Sequence, residues 1–315
     1  MGLAALCAAG WLSLGVGVAG VGVADLLSPT DEQLRILTTS RIPRLIAIVL
    51  AGASLSIAGL IMQRITQNRF VSPSTSGTTE AAVLGVLIAT LVFGSTSLTW
   101  KMLIAIGFAI GGTMLFLQML SRIRHRDGLV VALVGLMYGG VIAAATTFVA
   151  YQRDLLQFLE IWTAGSFSGV IENRYEALFI VAPVALLGYL FADRFTVVGL
   201  GADFATNLGV NYQRVLYSGL VIVSMISAVV VVVIGAIPFL GLIVPNIVTL
   251  WMGDNLRRVL PVTALAGAGF VLACDVAGRL IRYPYEISAS TLAGIIGGVV
   301  FIGLIMRAAD RAGAR

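Results

Sequence analysis

Few side chains in this sequence could perform bond-making chemistry or bind a metal. The one His, His125, lies in a basic run, and the two Cys, Cys7 and Cys274, lie far apart within apolar segments. This pattern excludes a disulfide framework and a Cys/His metal site. The one Lys, Lys101, belongs to no G-x-x-x-x-G-K-[ST] motif, so the chain cannot hydrolyse a nucleotide by the P-loop route. We therefore expect no catalytic residue, no cofactor and no metal.

One acid stands out because it lies inside an apolar segment. Asp275 precedes Arg279 by four residues, which is about one turn of a helix. An ionisable residue within a membrane segment is a functional candidate by default. A pair at this spacing lowers the cost of burying both charges. The spacing predicts an ion pair rather than a proton relay.

The composition identifies the element that must position such residues. Of 315 residues, 59% are apolar and 11% are charged, and the mean hydropathy is +1.01. A globular domain has about 45–50% apolar and about 25% charged residues. Ten helices of about 20 residues would place roughly 200 residues in lipid. The remainder is too short for a separate domain, so we predict an all-α integral membrane protein with one transmembrane domain, residues 1–315.

Apolar runs of spanning length define about ten transmembrane helices. Pro238 and Pro245 favour a break near Gly235 between the seventh and eighth runs. The apolar start lacks a basic leader and a convincing cleavage site, which favours a retained first span. The predicted spans are 3–24, 45–62, 80–94, 102–120, 129–150, 177–192, 215–234, 236–252, 260–278 and 288–306.

The charged residues between the runs predict the orientation. Most Lys and Arg residues fall in one set of connections, 63–79, 121–128, 193–214, 253–259 and the tail after 306. We assign this set, with both termini, to the cytoplasm. The net charge of +5 is thus explained by topology and does not indicate nucleic-acid binding. The residues that carry most weight are Arg122, Arg124 and Arg126, and in the tail Arg307, Arg311 and Arg315.

Two of these cytoplasmic connections have more sequence structure than a plain linker. In Gln63–Glu80, Asn, Ser, Pro and Gly residues punctuate a polar return to the next helix. In Val198–Arg214, Asp203 near the start and Gly209 just past the end are typical of a short capped helix. Such a helix at the membrane surface could contact a partner, or it could be an ordered interfacial loop. The residues alone leave both alternatives open.

Small residues indicate close helix packing. Three G-x-x-x-G pairs occur, and such pairs let helix backbones approach closely in lipid. They are also common in any multi-pass protein, so together they indicate only a tight bundle. The pairs are Gly107/Gly111, Gly135/Gly139 and Gly294/Gly298.

Seven motifs in order give the chain a family resemblance. It resembles, over nearly its whole length, the permease subunits of the iron-siderophore and cobalamin ABC importers. Asn246, where many members have His, and the form of Asn68–Pro73 are similar to the branch for catecholate or mixed siderophores. The motifs are Arg41-Ile-Pro-Arg44 with AGASLSIAGLIMQ, Asn68-Arg-Phe-Val-Ser-Pro73, Trp162-Thr-Ala-Gly-Ser166, LGADFATNLGV from Leu200, GAIPFLGLIVPNIV from Gly235, GDNLRRVLP from Gly253, and the Glu286 segment with its Gly-rich last helix.

The resemblance implies a type II ABC importer permease of ten helices in the cytoplasmic (inner) membrane. It implies pairing with an identical or sister permease, two cytoplasmic ATP-binding subunits, and a periplasmic or lipid-anchored siderophore-binding protein. The absent P-loop agrees with ATP hydrolysis by a separate subunit. On this basis the chain moves ferric siderophore and is not an enzyme.

The resemblance also assigns candidate residues. Arg41, Arg44 and Arg279 match the family's outward-facing docking arginines, and the alternative role for each is anchoring to lipid headgroups. The inner gate matches the turn at Asn68, and the outer constriction matches Tyr151, Gln152 and Arg153. The segment that couples transport to the ATPase matches Gly201, Ala202, Asp203, Ala205, Leu208, Gly209 and Arg214.

Two other classes of function compete with this interpretation. A secondary, ion-coupled transporter would need titratable groups near the middle of the membrane. Only Asp275 is available from the sequence, and it lies near a predicted helix end. An intramembrane enzyme would need His or paired acids within the helices, and the sequence offers neither.

Overall fold

The structure is a computed structural model that describes residues 2–17, 22, 24–94, 97–122, 128–172 and 175–313, with the backbone alone from 307 onward. His125, Arg124, Arg126 and Arg315, and the side chains of Arg307 and Arg311, lie outside the described part. The α-helices are α1 (Gly2–Leu14), α2 (Asp31–Ile36), α3 (Ile42–Ile65), α4 (Thr78–Phe93), α5 (Leu98–Ser121), α6 (Gly128–Gln152), α7 (Leu156–Thr163), α8 (Val181–Leu190), α9 (Ala192–Val198), α10 (Ala202–Asn207), α11 (Tyr212–Val233), α12 (Leu240–Met252), α13 (Leu256–Ile281) and α14 (Ala289–Gly313).

The all-α prediction is confirmed, and each of the ten predicted spans contains a helix. Among the described residues, six helices are long and apolar enough to cross a membrane alone. Three shorter apolar helices are α1, α4 and α12. The remaining predicted span, 177–192, consists of a 3₁₀ turn followed by α8, and the axis of this helix makes an angle of 58° with that of α9. The short helices α7 and α9 come in addition to the predicted spans, whereas α10 lies in the segment typical of a short capped helix and α2 extends the second span.

The first span is shorter than predicted. Helix α1 ends at Leu14, whereas the apolar run continues to about residue 24. The run contains repeated glycines after Leu14, and glycine weakens a helix by about 1 kcal/mol per residue relative to Ala. The carbonyls at the end of α1 also accept hydrogen bonds from Arg41 and Arg279. The apolar run therefore extends beyond Leu14, where the helix ends.

The second span is longer than predicted and contains a π-helical turn. Helix α2, the π turn Leu37–Arg41 and α3 form one continuous helix of 35 residues, Asp31–Ile65. Arg41 is the last residue of the π turn. π turns inside α-helices are often found at functional sites, because they redirect side chains.

The predicted break between the seventh and eighth spans is present. Helix α11 ends at Val233 and α12 begins only at Leu240. Gly235 has φ +104° and Phe239 has φ +60°. Positive φ favours glycine, and Pro238 has no N–H to donate to a helix, so the chain is interrupted here. Pro245, which was also expected to favour the break, lies inside α12.

Helices α3, α11, α12 and α13 form the centre of the bundle. The apolar windows of Asp31–Ile65 and α11 are each 72% buried. By contrast, the window of α5 is 28% buried, and those of α6 and α14 are 22% buried. In one chain, α5, α6 and α14 therefore leave apolar surface for lipid or for another subunit.

Most of the glycines in the predicted G-x-x-x-G pairs do not form the closest helix contacts, which involve other glycines. A Cβ on Gly59 would overlap the backbone of Gly241, so α3 and α12 touch there. At Gly107 and Gly111, nothing lies within 4 Å of such a Cβ. Of the three G-x-x-x-G pairs, Gly135/Gly139 has both members in close contact inside the chain. The pattern predicted a tight bundle correctly but not which glycines form it.

Candidate functional site

The connection between α3 and α4 is buried rather than exposed at the surface. Asn68 is 7% exposed, and Ser72, Ser76 and Thr78 are fully buried. The segment enters the bundle, so α4 begins inside it. The sequence predicts that Gln63–Glu80 is a polar cytoplasmic connection, whereas its second half is buried within the bundle; the side of the membrane on which it lies stays a prediction. A polar run has the composition of a loop, whereas here protein surrounds it.

Hydroxyl groups satisfy the buried polar atoms of this re-entrant segment. Ser76 Oγ lies 2.9 Å from Thr78 Oγ1, and Thr78 Oγ1 lies 2.7 Å from Thr113 Oγ1. Thr113 Oγ1 lies 3.3 Å from Ser224 Oγ and donates to the Ala109 carbonyl at 2.7 Å. The network joins the re-entrant segment to α5 and α11. Irregular backbone at membrane depth is tolerated only when protein or a cavity surrounds it.

Asn68 holds the entrance to the re-entrant segment. Its Nδ2 donates to the Gly128 carbonyl at 3.0 Å, and its Oδ1 accepts from Phe70 N at 2.9 Å. Asn246 Nδ2 donates to the Arg69 carbonyl at 2.8 Å. These bonds tie the turn to the first residue of α6 and to α12. A gate at Asn68 stays a prediction. Because Asn68 bonds to the first residue of α6, a movement of α6 would be transmitted to this turn.

The predicted outer constriction lies at the other end of α6. Tyr151, Gln152 and Arg153 are exposed, and Asp154 follows with φ +55°. Between Gly128 and Tyr151, 23 residues of helix span roughly 35 Å. The structure thus does not bring the two predicted constrictions together. It places them at opposite ends of one helix, as an inner and an outer gate require.

The predicted docking arginines form an internal network. Arg44 Nε and Nη2 donate to Asp275 Oδ1 at 3.1 and 2.7 Å. Arg44 Nη1 donates to Glu286 Oε2 at 2.9 Å. Arg279 Nη2 lies 2.7 Å from Asp275 Oδ2, so the predicted i,i+4 pair is present. Asp275 is 2% exposed and is shared by both arginines.

Two of these arginines also fasten α1 to the bundle. Arg279 Nη1 donates to the carbonyls of Ser13 at 3.0 Å and Val16 at 2.6 Å. Arg41 donates to the Leu14 carbonyl. Arg41 and Arg279 are 8% and 6% exposed. Helix carbonyls after the last turn lack internal partners, and arginine satisfies them. The geometry therefore gives these two side chains a structural position, and docking stays a prediction.

The predicted coupling segment contains the expected short helix. Helix α10 follows Gly201, whose φ is +116°, and Gly209 after it has φ +73°. Asn211 then caps α11 by accepting from Arg214 N at 3.0 Å. Gly209 follows the C-terminal cap Leu208 as predicted, whereas the N-terminal cap is Gly201 and Asp203 lies inside the first turn. The helix packs against α9 and α11 and lies at the same end as the α12–α13 connection.

The coupling helix has a buried face and an exposed face. Ala205 is fully buried and fixes the helix to the body of the protein. Phe204 is 64% exposed and Leu208 is 63% exposed. Ala202 and Asp203 are exposed beside them. Phe204 was not singled out from the sequence; a large apolar residue in a surface helix is the signal that could have found it.

Charges next to the coupling helix tie the inner connections together. Arg64 Nη2 donates to Asp254 Oδ1 at 2.6 Å, and Arg69 lies 3.5 Å from the same atom. Arg257 Nη1 donates to Asp193 Oδ2 at 2.9 Å. The hydrogen bond from Arg64 lowers the pKa of Asp254 below its ordinary value of 3.8. Asp254 is thus ionised at neutral pH.

Every ion pair among the described residues joins segments that the sequence assigns to one face. Arg44, Asp275, Arg279 and Glu286 lie at one end, whereas the five residues of the Asp254 and Asp193 pairs lie at the other. The grouping of connections into two faces agrees with this arrangement. Which face is cytoplasmic is a separate matter and stays a prediction.

One acid at membrane depth was missed. The sequence predicts that Glu80 ends a polar loop, but the re-entrant segment carries it to the middle of the bundle. A Cβ built on Gly139 would lie 3.4 Å from its carboxylate, and Gly139 is the twelfth of the 25 residues in α6. Glu80 also borders a cavity. A glutamate at the first position of the predicted span 80–94 was the available signal.

The apolar helices and the charged clusters at the two ends of the bundle define a multi-pass α-helical membrane protein. Residues 5–307 match the FecCD transport family, and the chain belongs to that family. It is similar to a petrobactin import system permease protein of Bacillus subtilis (strain 168), with 47% identity over 295 residues, 94% of this chain and 93% of the relative. It is 39% identical over 273 residues, 87% of each chain, to a ferric-anguibactin transport system permease protein of Vibrio anguillarum.

A solved structure agrees with the family. A metal-chelate type ABC transporter in an inward-facing conformation matches with a TM-score of 0.80 and 25% identity over 97% of each chain. The chain is therefore an ABC importer permease, a transport subunit rather than an enzyme, and a multi-pass protein of the inner membrane.

Proposed function

We propose that this permease moves a ferric siderophore across the cytoplasmic membrane, in the catecholate or mixed-siderophore branch. The observation that carries the proposal is the 47% identity to a petrobactin import permease along almost the whole chain. The ferric-anguibactin permease supports the same class of cargo. Energy comes from two separate ATP-binding subunits, and a periplasmic or lipid-anchored binding protein delivers the cargo.

The second permease subunit, identical or sister, covers the exposed apolar helices. Windows of α6 and α14 are only 22% buried in one chain. Lipid alone could cover such surface, but α6 also joins the two predicted constrictions at Asn68 and at Tyr151 to Arg153. We therefore place α6 at the central pathway between the two permeases. Tilting α6 would then close one constriction while it opens the other.

The ATP-binding subunit contacts the exposed face of the coupling helix. We assign Ala202, Asp203, Leu208, Gly209 and Arg214 to the contact or its rim, and Gly201 and Ala205 to holding the helix. Because Ala205 is buried against the body, a push on the exposed face moves the helix and the body together. This rigid connection supports transmission of ATPase motion to α11 and α9.

Both termini lie in the cytoplasm in this arrangement. Single cysteines test it in intact cells that carry a Cys7→Ser background, because Cys7 is exposed. An impermeant thiol reagent added outside should label Gln152→Cys but neither Ser121→Cys nor Asn211→Cys. Labelling of Asn211→Cys from outside would overturn the orientation.

The transport function is tested by uptake of radioactive iron. Cells that lack their own siderophore permeases receive this chain with its ATP-binding subunits and binding protein. We expect accumulation of iron from ferric petrobactin or ferric anguibactin, and loss of accumulation when the P-loop Lys of the ATP-binding subunit is replaced. Uptake that persists without a working ATPase would indicate a secondary transporter. No uptake of any ferric siderophore by an assembled complex would overturn the proposal.

A further inference from the structure

A cavity of about 230 Å³ lies beside the membrane-embedded acid Glu80. It is bounded by α4, α6, α7 and the break after α11. Its walls combine the carboxylate, threonine hydroxyls and apolar side chains. The residues that matter here are Glu80, Val83, Ala143, Thr147, Leu159 and Thr163.

Glu80 has no ionic partner in this environment. Its Oε2 is buried and has no hydrogen-bonding partner among the described residues. None of the ion pairs in the described ranges involves it. Burying an ionised carboxylate without a partner costs several kcal/mol. A cation that enters from outside the chain would therefore be stabilised next to this carboxylate.

Three of the four threonines around the cavity offer acceptors rather than donors. Thr146 Oγ1 donates to the Ile142 carbonyl at 2.7 Å, and Thr147 Oγ1 donates to the Ala143 carbonyl at 2.9 Å. Thr163 Oγ1 donates to the Leu159 carbonyl at 3.1 Å. Each hydroxyl proton is used within its own helix. These three threonines offer an occupant lone pairs, and Thr79, the fourth threonine of the lining, keeps a hydroxyl proton. An occupant that donates hydrogen bonds and carries positive charge suits the three acceptors and the carboxylate.

The cavity opens on the surface of the single chain. Ala143, Thr147 and Thr163 at its rim are exposed. Glu80 faces the middle of α6, whereas Ala143 and Thr147 are the sixteenth and twentieth of its 25 residues, so the cavity runs from mid-depth toward the end that carries Tyr151. Ionisable residues at that depth face the bundle interior or a water-filled cavity rather than lipid. The rim therefore faces the pathway or the partner permease.

The volume of the cavity and the residues that line it indicate the chemistry of its occupant. Pockets that hold a whole small molecule have about 300–1,000 Å³, so this cavity accommodates one group of a larger cargo. A divalent cation such as Ca²⁺ or Mg²⁺ needs polar surroundings for six or more oxygen ligands, waters included, whereas most of this cavity wall is apolar. Val83, Leu159 and Ala143 can pack against methylene groups. An alkylammonium group matches the carboxylate and the apolar walls together.

We propose that the Glu80 cavity binds a protonated primary or secondary alkylamine, presented by the cargo as it passes along the pathway. The cargo clause rests on the proposed function. The binding clause does not, because it concerns only the cavity and a small cation.

Protection of a rim cysteine tests the binding clause. Ala143→Cys is placed in a Cys7→Ser background, and the assembled permease and ATPase complex is held in nanodiscs. n-Propylammonium chloride should slow labelling of Ala143→Cys by a thiol reagent, about threefold at twice its dissociation constant. Propan-1-ol, which has a similar shape and no charge, should give no protection. Equal protection by propan-1-ol, or none by n-propylammonium, would overturn the proposal.

The acid itself is tested by Glu80→Gln, which keeps the size and removes the charge. Protection by n-propylammonium should disappear, whereas Glu80→Asp should keep a weaker protection. Retained protection in Glu80→Gln would refute the role of the carboxylate. If Glu80→Gln fails to assemble, the aspartate variant and the propan-1-ol arm still decide. Potassium chloride at equal concentration is a further arm, and protection equal to that by n-propylammonium would assign the site to inorganic cations instead.

The cargo clause is tested by a ratio of two uptake rates. One ferric siderophore carries a free amine, and its N-acetylated form does not. Comparing this ratio between wild type and Glu80→Gln cancels selection by the binding protein, which is the same for both permeases. Glu80→Gln should lower the amine-to-acetyl ratio relative to wild type. An unchanged amine-to-acetyl ratio with normal total uptake would contradict the cargo clause and leave the proposed function intact.

Discussion

Arg44 and Asp275 lie 231 positions apart in the sequence and are joined by two hydrogen bonds, from Nε at 3.1 Å and from Nη2 at 2.7 Å to the same carboxylate oxygen. Arg279 occupies the other oxygen at 2.7 Å. One buried acid thus connects the helix Asp31–Ile65 to α13 and, through Arg279, to the end of α1. The network explains how Arg44 and Arg279 are stabilised within an apolar bundle without any bound ligand.

Removing the shared acid should destabilise the protein. Asp275→Asn leaves two largely buried guanidinium groups without their common anion, and breaking a buried pair costs about 3–5 kcal/mol. We expect a clear fall in the thermal unfolding midpoint in nanodiscs. Glu286→Gln is the matched control, because the Glu286 side chain is 31% exposed and should matter less. Equal midpoints for Asp275→Asn and wild type would contradict a structural network.

Docking of the binding protein should depend on Arg44 more than on Arg41 or Arg279. The Arg44 side chain is 15% exposed and one of its partners, Glu286, is partly exposed, whereas the other two arginines bond to α1 carbonyls. Arg44→Lys keeps the charge and loses the bidentate geometry. We expect weaker association of the binding protein, measured at low and moderate salt with the fold checked separately. An unchanged affinity in a folded variant would leave headgroup anchoring or the internal network as the role of Arg44.

The ten spans could be predicted because hydropathy records composition along the chain, and a run such as 129–150 is apolar whatever surrounds it. The break before α12 was predictable because Gly235 and Pro238 act locally. The depth of Glu80 was not predictable, because the buried Thr78 hydroxyl finds its partner on Thr113 of α5, which is remote in sequence. The end of α1 likewise depends on Arg279, which is remote in sequence.

The candidate sites follow the same division. The coupling helix was predictable from Asp203, Gly209 and the family resemblance, because caps are local signals. The direction of its faces was not, since burial of Ala205 depends on the neighbours of α10. Glycine pairs failed at Gly107 and Gly111 for the same reason. A G-x-x-x-G motif shows only that a close helix contact is sterically possible, and tertiary packing determines where such a contact forms.

The crossing of α3 and α12 should tolerate no side chain. A Cβ at Gly59 would overlap the backbone of Gly241, and backbone cannot move aside as a flexible side chain can. Gly59→Ala should lower the yield of folded, detergent-stable protein and the unfolding midpoint. Gly107→Ala is the matched control, because nothing lies within 4 Å of its Cβ and alanine favours helix by about 1 kcal/mol. Equal behaviour of both variants would contradict the close crossing.

The contact between Arg64 and Asp254 should depend on pH in one direction. The folded pKa of Asp254 lies below 3.8, so the contact contributes stability at neutral pH and loses it as the pH falls through the folded pKa. Asp254 is 56% exposed on its side chain, so the contribution is below about 1 kcal/mol. A double-mutant cycle with Arg64→Gln and Asp254→Asn should show coupling at pH 7 that vanishes in acid. Coupling that grows as the pH falls would contradict this assignment.

The exposed face of α10 should carry the contact with the ATP-binding subunit. Phe204 and Leu208 are more than 60% exposed, and apolar side chains at the centre of a contact supply most of its affinity. We expect Phe204→Ala with Leu208→Ala to weaken association with the ATP-binding subunit about tenfold. Asn207→Ala, an exposed position on the same helix, should change little.

Backbone and contact effects at Gly209 can be separated, because its φ is +73° and nothing lies within 4 Å of a Cβ placed there. Asn tolerates this conformation better than β-branched Val. If Gly209 serves only the backbone, Gly209→Asn should keep transport while Gly209→Val loses it through a displaced α10. If the ATP-binding subunit packs directly on Gly209, both variants should lose ATPase association while the permease still inserts. Full transport by Gly209→Val at normal expression would refute both roles and move the contact away from this end of the helix.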